Sequence, residues 1–211
     1  MSATKAIKGT KPGGTHVTGP GGLAVGEFAR WYRARTLAVW NNLDLVAVER
    51  LAIEVQRCER ERRTVWVMGN GGSASTASHL ACDLSKTAHV KGRARIKCVS
   101  LNDNAAYMTA VGNDLSYDKV FAHQLEGLVE RGDLVILVTG SGNSSNMLAA
   151  AAVAKKAGAV TAGLLGFDGG ALKKAVDFCV LVSSDQYGVI EDVHMAVGHV
   201  VTFWLKQRRS P

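Results

Sequence analysis

WVMGNGGSASTASHLACDLSKT, residues 66–87, runs from β-branched and aromatic residues through a glycine turn into a segment with helical spacing. Strand, tight turn and helix in that order open an α/β sheet, in which ligands sit where strands end. Two polar side chains, Asn70 and Ser73, stand in the turn. His79 and Asp83 follow one helical turn apart, on one face. What this turn holds is the question the rest of the chain must answer.

Downstream the alternation repeats. Thr64–Met68 is the first strand and Ser73–Ala88 a helix. Ile96–Leu101 is a second strand, with helical spacing over Asn104–Val111 and Tyr117–Val129. Leu134–Thr139 is a strand, followed by an Ala-rich helix over Ser144–Ala157. Val160–Leu165, a short helix Ala171–Ala175, the strand Phe178–Val182 and a helix Ile190–Leu205 complete the chain. The strands are continuous apolar runs, as expected where both faces of a parallel sheet are covered. The expected fold is a doubly wound five-stranded parallel α/β sheet. Upstream, Phe28, Trp31, Leu37, Trp40, Leu43, Val46, Leu51 and Val55 recur at helical spacing over residues 26–62, with a break at Asn41-Asn42.

The 211 residues suit one domain. Residues 1–22 are rich in Gly, Thr and Lys and read as a disordered tail, so the domain spans residues 23–211. Lys5, Lys8 and Lys11 supply three of the seven net positive charges. His16 in the tail carries no signal. The remaining basic residues form two short clusters, Arg57–Arg63 and Lys206–Arg209, not the basic stripe of a nucleic-acid binder. No apolar run reaches membrane-spanning length. Cys58, Cys82, Cys98 and Cys179 form no C-x-x-C pair and read as reduced, buried thiols of a cytoplasmic protein.

Gly69-Asn70-Gly71-Gly72-Ser73-Ala74 fits G-x-G-x-x-A, so a dinucleotide site is one reading. Its acidic partner would be Asp103, 34 positions after Gly69. The polar side chains in the turn argue against a pyrophosphate. The loop after the third strand, VTGSGNSSN at 138–146, argues further, because Thr139, Ser141, Asn143, Ser144 and Ser145 run straight into a helix. Hydroxyls and amides at a helix N-terminus favour an anion. Two such loops on neighbouring strands suit one small phosphorylated ligand. Otherwise Ser73 and Ser144 are N-caps and the glycines tight turns.

The last helix carries Glu191, Asp192, His194 and His199. Eight residues separate Glu191 from His199, about 12 Å along one straight helix. Metal-assisted chemistry and metal-free acid/base catalysis are both open on these residues. His123 carries no signal and His89 is ambiguous.

GNGGSAS…SHLACDL, GSGNSSN, AVGND (110–114), GFDGG (166–170) and IEDVHMAVGH (190–199) together resemble the sugar isomerase (SIS) domain family, with its flavodoxin-like fold. Within it, the resemblance is to the branch that isomerises heptose 7-phosphates, and it covers residues 26–207. It implies a homotetramer with the N-terminal helices between subunits. It implies a sugar phosphate held by Asn70, Gly71, Gly72 and Ser73, by Asn113 and Asp114, and by Thr139, Gly140, Ser141 and Ser144, with Asp83 and Glu191 also in contact. It implies zinc at His79, Asp83, Glu191 and His199. The family pattern has Glu and Gln where this chain has Asp83 and Glu191, and Asp-Arg where Gly188-Val189 stand. The implied activity is aldose–ketose isomerisation of sedoheptulose 7-phosphate and a manno-heptose 7-phosphate through an enediol. Asp83 and His199 are the acid and base expected on opposite sides of the substrate. The alternative is a SIS protein that binds sugar phosphates or serves as an adaptor without turnover.

Overall fold

The computed structural model describes residues 19–208. The expectations for Lys5, Lys8, Lys11, His16 and Arg209, and for most of the N-terminal tail, lie outside the described residues. Gly19–Gly22 form a turn leading into the first helix.

Two helices precede the sheet, α1 (Val25–Asn41) and α2 (Leu45–Glu61). Asp44 starts α2 by accepting from the amides of Val46 at 2.9 Å and Ala47 at 3.2 Å, a cap that contributes on the order of 1 kcal/mol. The apolar stripe of α2, Val48, Leu51, Ala52, Val55 and Cys58, is buried. By contrast, α1 has no fully buried residue.

The strands are β1 (Thr64–Gly69), β2 (Lys97–Ser100), β3 (Leu134–Thr139), β4 (Val160–Gly166) and β5 (Phe178–Val182). All pair in parallel, in the order β2-β1-β3-β4-β5. The chain therefore leaves β1 toward one edge and returns beyond it to β3. Their carboxyl ends form the switch point, where such sheets bind ligands.

The remaining helices are α3 (Gly72–Cys82), α4 (Ala105–Asp114), α5 (Ala122–Glu126), α6 (Ser145–Ala157), α7 (Leu172–Ala175) and α8 (Tyr187–Gln207). Side-chain alternation splits the interior in two. Val65, Val67, Ile136 and Leu164 face a core shared with α2, α3 and α8. Trp66, Met68, Leu137 and Leu165 face a second core with α4 and α6. At the opposite end of the sheet, Asp133 accepts from the Thr64 amide and the Trp66 indole, both at 2.9 Å, and fixes the start of β1 against β3.

Four expectations change. The helix expected over Ser73–Ala88 is regular only to Cys82, and residues Asp83–Thr87 form a π turn closed by the Ala88 amide on the Asp83 carbonyl at 2.8 Å. The helix expected over Tyr117–Val129 breaks into a 3-10 turn at Tyr117–Lys119 and the short α5. Here Tyr117 and Asp118 turn their side chains to Asn70 and Ser145. The last helix starts at Tyr187 because the Gln186 side chain accepts from the Val189 amide at 3.0 Å. Finally, Cys82 is exposed, although the other thiols are buried or half-buried.

Candidate active site

The π turn and α8 bring three ligand-type atoms together. His79 Nε2 lies 3.3 Å from Asp83 Oδ2 and 3.1 Å from His199 Nε2, and His199 Nε2 lies 3.8 Å from the same carboxylate oxygen. Among the described residues this is the one convergent trio of potential metal ligands. Two ring nitrogens and one carboxylate oxygen around a tetrahedral zinc would stand about 3.3 Å apart, given bonds of about 2.0–2.1 Å. The donor set and its spacing therefore fit a divalent cation. The histidine side chains are 49% and 43% exposed and that of Asp83 15%, so the trio is reachable from outside.

Glu191 does not join this group. It lies in the second turn of α8, not at a frayed start, and the eight-residue rise to His199 keeps the two apart. Its carboxylate instead packs on the Gly72 backbone at the start of α3, in space that any side chain at 72 would fill. A carboxylate at a helix N-terminus is favoured by the helix dipole. Asp83 and His199 also differ from expectation. At 3.8 Å they are too close for a substrate carbon to lie between them, so they do not flank it from opposite sides.

The two loops meet as their sequences suggest. β1 and β3 are neighbours, with Gly69 opposite Val138. Ser144 occupies the N-cap position of α6 but makes no capping hydrogen bond, and the cap position of α3 is Gly71, not Ser73. The serines are therefore not explained as caps. Thr139 Oγ1 accepts from the Gly142 amide at 3.3 Å, Ser141 Oγ accepts from the Asn143 amide at 3.4 Å, and Gly140 is buried between them. The loop is braced from the β4 side, where Leu172 donates to the Gly142 carbonyl and Ala171 to Asn143 Oδ1, both at 2.9 Å.

Asn70 spans the switch point. It exchanges hydrogen bonds with Asn146 on α6 at 2.9 and 3.0 Å. Asn113 and Asp114 stand exposed at the end of α4, with the Asn113 amide donating to Asp114 at 2.8 Å. Asp114 lines a cleft of about 370 Å³ with Tyr107 and His123. Asp103, the acid a dinucleotide would need, instead accepts from Ser78 on α3.

Sequence reasoning missed Asn146, Tyr117 and Tyr32. The Tyr32 hydroxyl reaches from α1 to Asp192 at 2.7 Å, close beside Gly188. Burial first, then the carboxylates of Asp192 and Glu191, push the phenol well above its usual range. Arg35 of α1 pairs with Asp185 just before α8. None of these contacts has a periodic signal, because they link positions far apart in the chain.

His194 is fully buried in α8, and neither ring nitrogen has a partner in hydrogen-bonding geometry. Burial lowers it to about 4, with the Leu165 backbone offsetting only part of that. Its folded value lies below the unfolded value of about 6.5. The unfolded chain thus binds a proton that the folded chain refuses, and stability falls as pH drops from about 6.5 toward 4. The expected loss is about 3 kcal/mol. Denaturant melts at pH 7 and pH 4.5 measure it. His194→Leu should flatten the acid limb by about one proton, and an unchanged slope would refute the assignment.

The sequence profile of the SIS domain matches residues 32–166, and the chain belongs to that family. Its relatives include the phosphoheptose isomerase of Nitratiruptor sp., 36% identical over 163 residues, covering 77% of this chain and 86% of the relative. The phosphoheptose isomerase of Akkermansia muciniphila is 41% identical over 133 residues, 63% of this chain and 70% of the relative. The structure of a phosphoheptose isomerase from Francisella tularensis superposes with a TM-score of 0.80 at 26% identity, covering 87% of this chain and 97% of that one.

Proposed function

We propose that the protein is an aldose–ketose isomerase that interconverts sedoheptulose 7-phosphate and a manno-heptose 7-phosphate. The convergence of His79, Asp83 and His199 carries this reading, in a chain whose relatives are named phosphoheptose isomerases. His79 lies seven residues along α3 from Gly72, about 10 Å of helix. That span suits an elongated ligand with its phosphate at the loops and its reacting end at the trio. A sensor or adaptor has no need of such a trio.

Isomerisation moves a proton between C1 and C2, with an enediol between. Asp83 takes the carbon-bound proton and His199 gives a proton to the carbonyl oxygen. C1, C2 and their oxygens are adjacent atoms, so two groups 3.8 Å apart serve them from one side. The same pair in reversed roles returns the proton to the neighbouring carbon. The same three side chains, His79, Asp83 and His199, are our proposed donors for one divalent cation per subunit, zinc by preference, and a side chain that ligates it tightly is not at that moment a free acid or base. When bound it would polarise the carbonyl oxygen. Glu191 is our candidate for a substrate contact, which its carboxylate against the Gly72 backbone supports. The deciding experiment incubates the protein with sedoheptulose 7-phosphate and looks for an aldose product; its absence ends the reading.

We assign the sugar phosphate to Thr139, Gly140, Ser141 and Ser144, with Asn70, Gly71, Gly72 and Ser73 across the switch point and Asn113 and Asp114 at the end of α4. Ser141→Ala or Ser144→Ala should raise KM by about tenfold or more, since each hydrogen bond to a charged group is worth about 1.5–3 kcal/mol. Unchanged KM in both variants would remove the assignment.

The proposal includes a cytoplasmic homotetramer. Among the described residues no helix is long and apolar enough to cross a membrane. Leu37 of α1 is 54% exposed and Phe28, Trp31 and Trp40 are half-buried, and among these residues and Leu43 only Leu43 is buried. A stripe of this kind needs a cover. Sedimentation at micromolar concentration should show four subunits; a stable monomer would contradict this.

A further inference from the structure

Asn70 has little hydrogen-bonding capacity left for a ligand. A side-chain amide offers two lone pairs on oxygen and two hydrogens on nitrogen. Asn70 Oδ1 accepts from Asn146 Nδ2 at 2.9 Å and from the Tyr117 hydroxyl at 3.0 Å. Its Nδ2 donates to Asn146 Oδ1 at 3.0 Å. Both lone pairs and one hydrogen are used, and one N–H remains.

The two partners are themselves fixed. Asn146 is 1% exposed, in the first turn of α6. Tyr117 begins the 3-10 turn, whose next residue, Asp118, accepts from the Ser145 hydroxyl. The β1 turn, the start of α6 and the 117–119 turn are thus tied together by side chains alone. Ser145 is spent on Asp118, while Ser144 is not spent on capping.

We propose that Asn146 and Tyr117 are positioning residues of the ligand site. They occupy the Asn70 oxygen and hold the amide so that it meets the ligand only as a donor, toward an acceptor oxygen such as that of a phosphate. Any ligand group that must donate at this point is rejected. The inference rests on the reading that Asn70 belongs to the sugar-phosphate site.

The test is a double-mutant cycle on KM for sedoheptulose 7-phosphate. Tyr117→Phe keeps the ring and removes one donor, and Asn146→Asp keeps the shape and the acceptor but removes the other donor. Each should raise KM, by severalfold and on the order of tenfold respectively, with kcat within about twofold. In an Asn70→Ala background the same substitutions should change KM no further, because their effect passes through Asn70. Effects of equal size in both backgrounds would overturn the proposal, as would unchanged KM in both single variants. If Asn146→Asp fails to fold, the Tyr117→Phe arm decides. Wild-type protein without turnover would sink the isomerase reading alone. The cycle is then read on the thermal shift given by the same sugar phosphate, with the same outcomes deciding.

Discussion

Replacing His199 with alanine should lower turnover by about 10²–10⁴-fold, the usual cost of removing a general acid or base. The fold should survive, because the His199 side chain is 43% exposed and is not among the buried core residues. Its ring nitrogen lies 3.1 Å from that of His79, so the substitution also opens the trio. Elemental analysis should find roughly one divalent ion per subunit in the parent and less in the variant, and a chelator should lower activity. Asp83→Asn should do nearly the same, keeping shape while removing charge. Asp83→Glu restores the residue usual in the family pattern, and activity should survive or rise if reach limits the base. A fully active His199→Ala protein would discard the catalytic assignment. His194 could not take over the role, since it is fully buried. Full activity in chelator, with no metal found, would discard the cation and leave the acid/base pair standing.

Gly142→Ala should be the most damaging small substitution in the binding loop. Gly142 has φ +66° and its missing Cβ would press on the Gly169 carbonyl, which is backbone and cannot swing aside. A left-handed conformation and a backbone clash together cost roughly 3 kcal/mol or more. For a domain of this size that is about 6–12 °C in Tm. The damage should reach the site as well, since the Gly142 carbonyl receives the Leu172 amide at 2.9 Å and holds the loop against the β4 side. Gly127→Ala is the control, because φ there is −91° and its added Cβ meets nothing within 4 Å. Calorimetry showing equal midpoints for the two variants would refute the loop's rigidity.

The sheet was legible because its strands are apolar on both faces. Leu134–Thr139 needed no further signal than its own continuous run, and its strand bounds are those of β3. Two loops of like composition at strand ends suggested neighbouring strands, and the pairing of β1 with β3 puts them side by side. Periodicity could not show where a helix changes its winding. Residues 73–88 keep helical spacing throughout, yet one extra residue per turn at Asp83–Thr87 is a hydrogen-bond choice invisible to hydropathy. The segment 117–129 failed for a related reason, since Tyr117 and Asp118 bond to loops 47 and 27 residues away. In the site, His79 and Asp83 could be paired from their spacing. His199 joined them only through the resemblance and the packing of α8 on α3. Glu191 showed the limit of that resemblance, because a position copied from a family pattern carries no distance. Asn146 lay inside a quoted motif but had no chemistry of its own until its amide was seen against Asn70.

The first helix has a consequence for how the molecule comes apart. Stability is spread unevenly in proteins, and segments with few buried apolar contacts open long before the whole chain unfolds. α1 has no fully buried residue, and polar links to the α8 end, Tyr32 with Asp192 and Arg35 with Asp185, help hold it to the sheet. Its amide hydrogens should therefore exchange with solvent well before those of β1 or β3. If neighbouring subunits cover this helix, mass action links its closure to protein concentration. Dilution would then loosen α1 first, while the sheet beneath it keeps its protection.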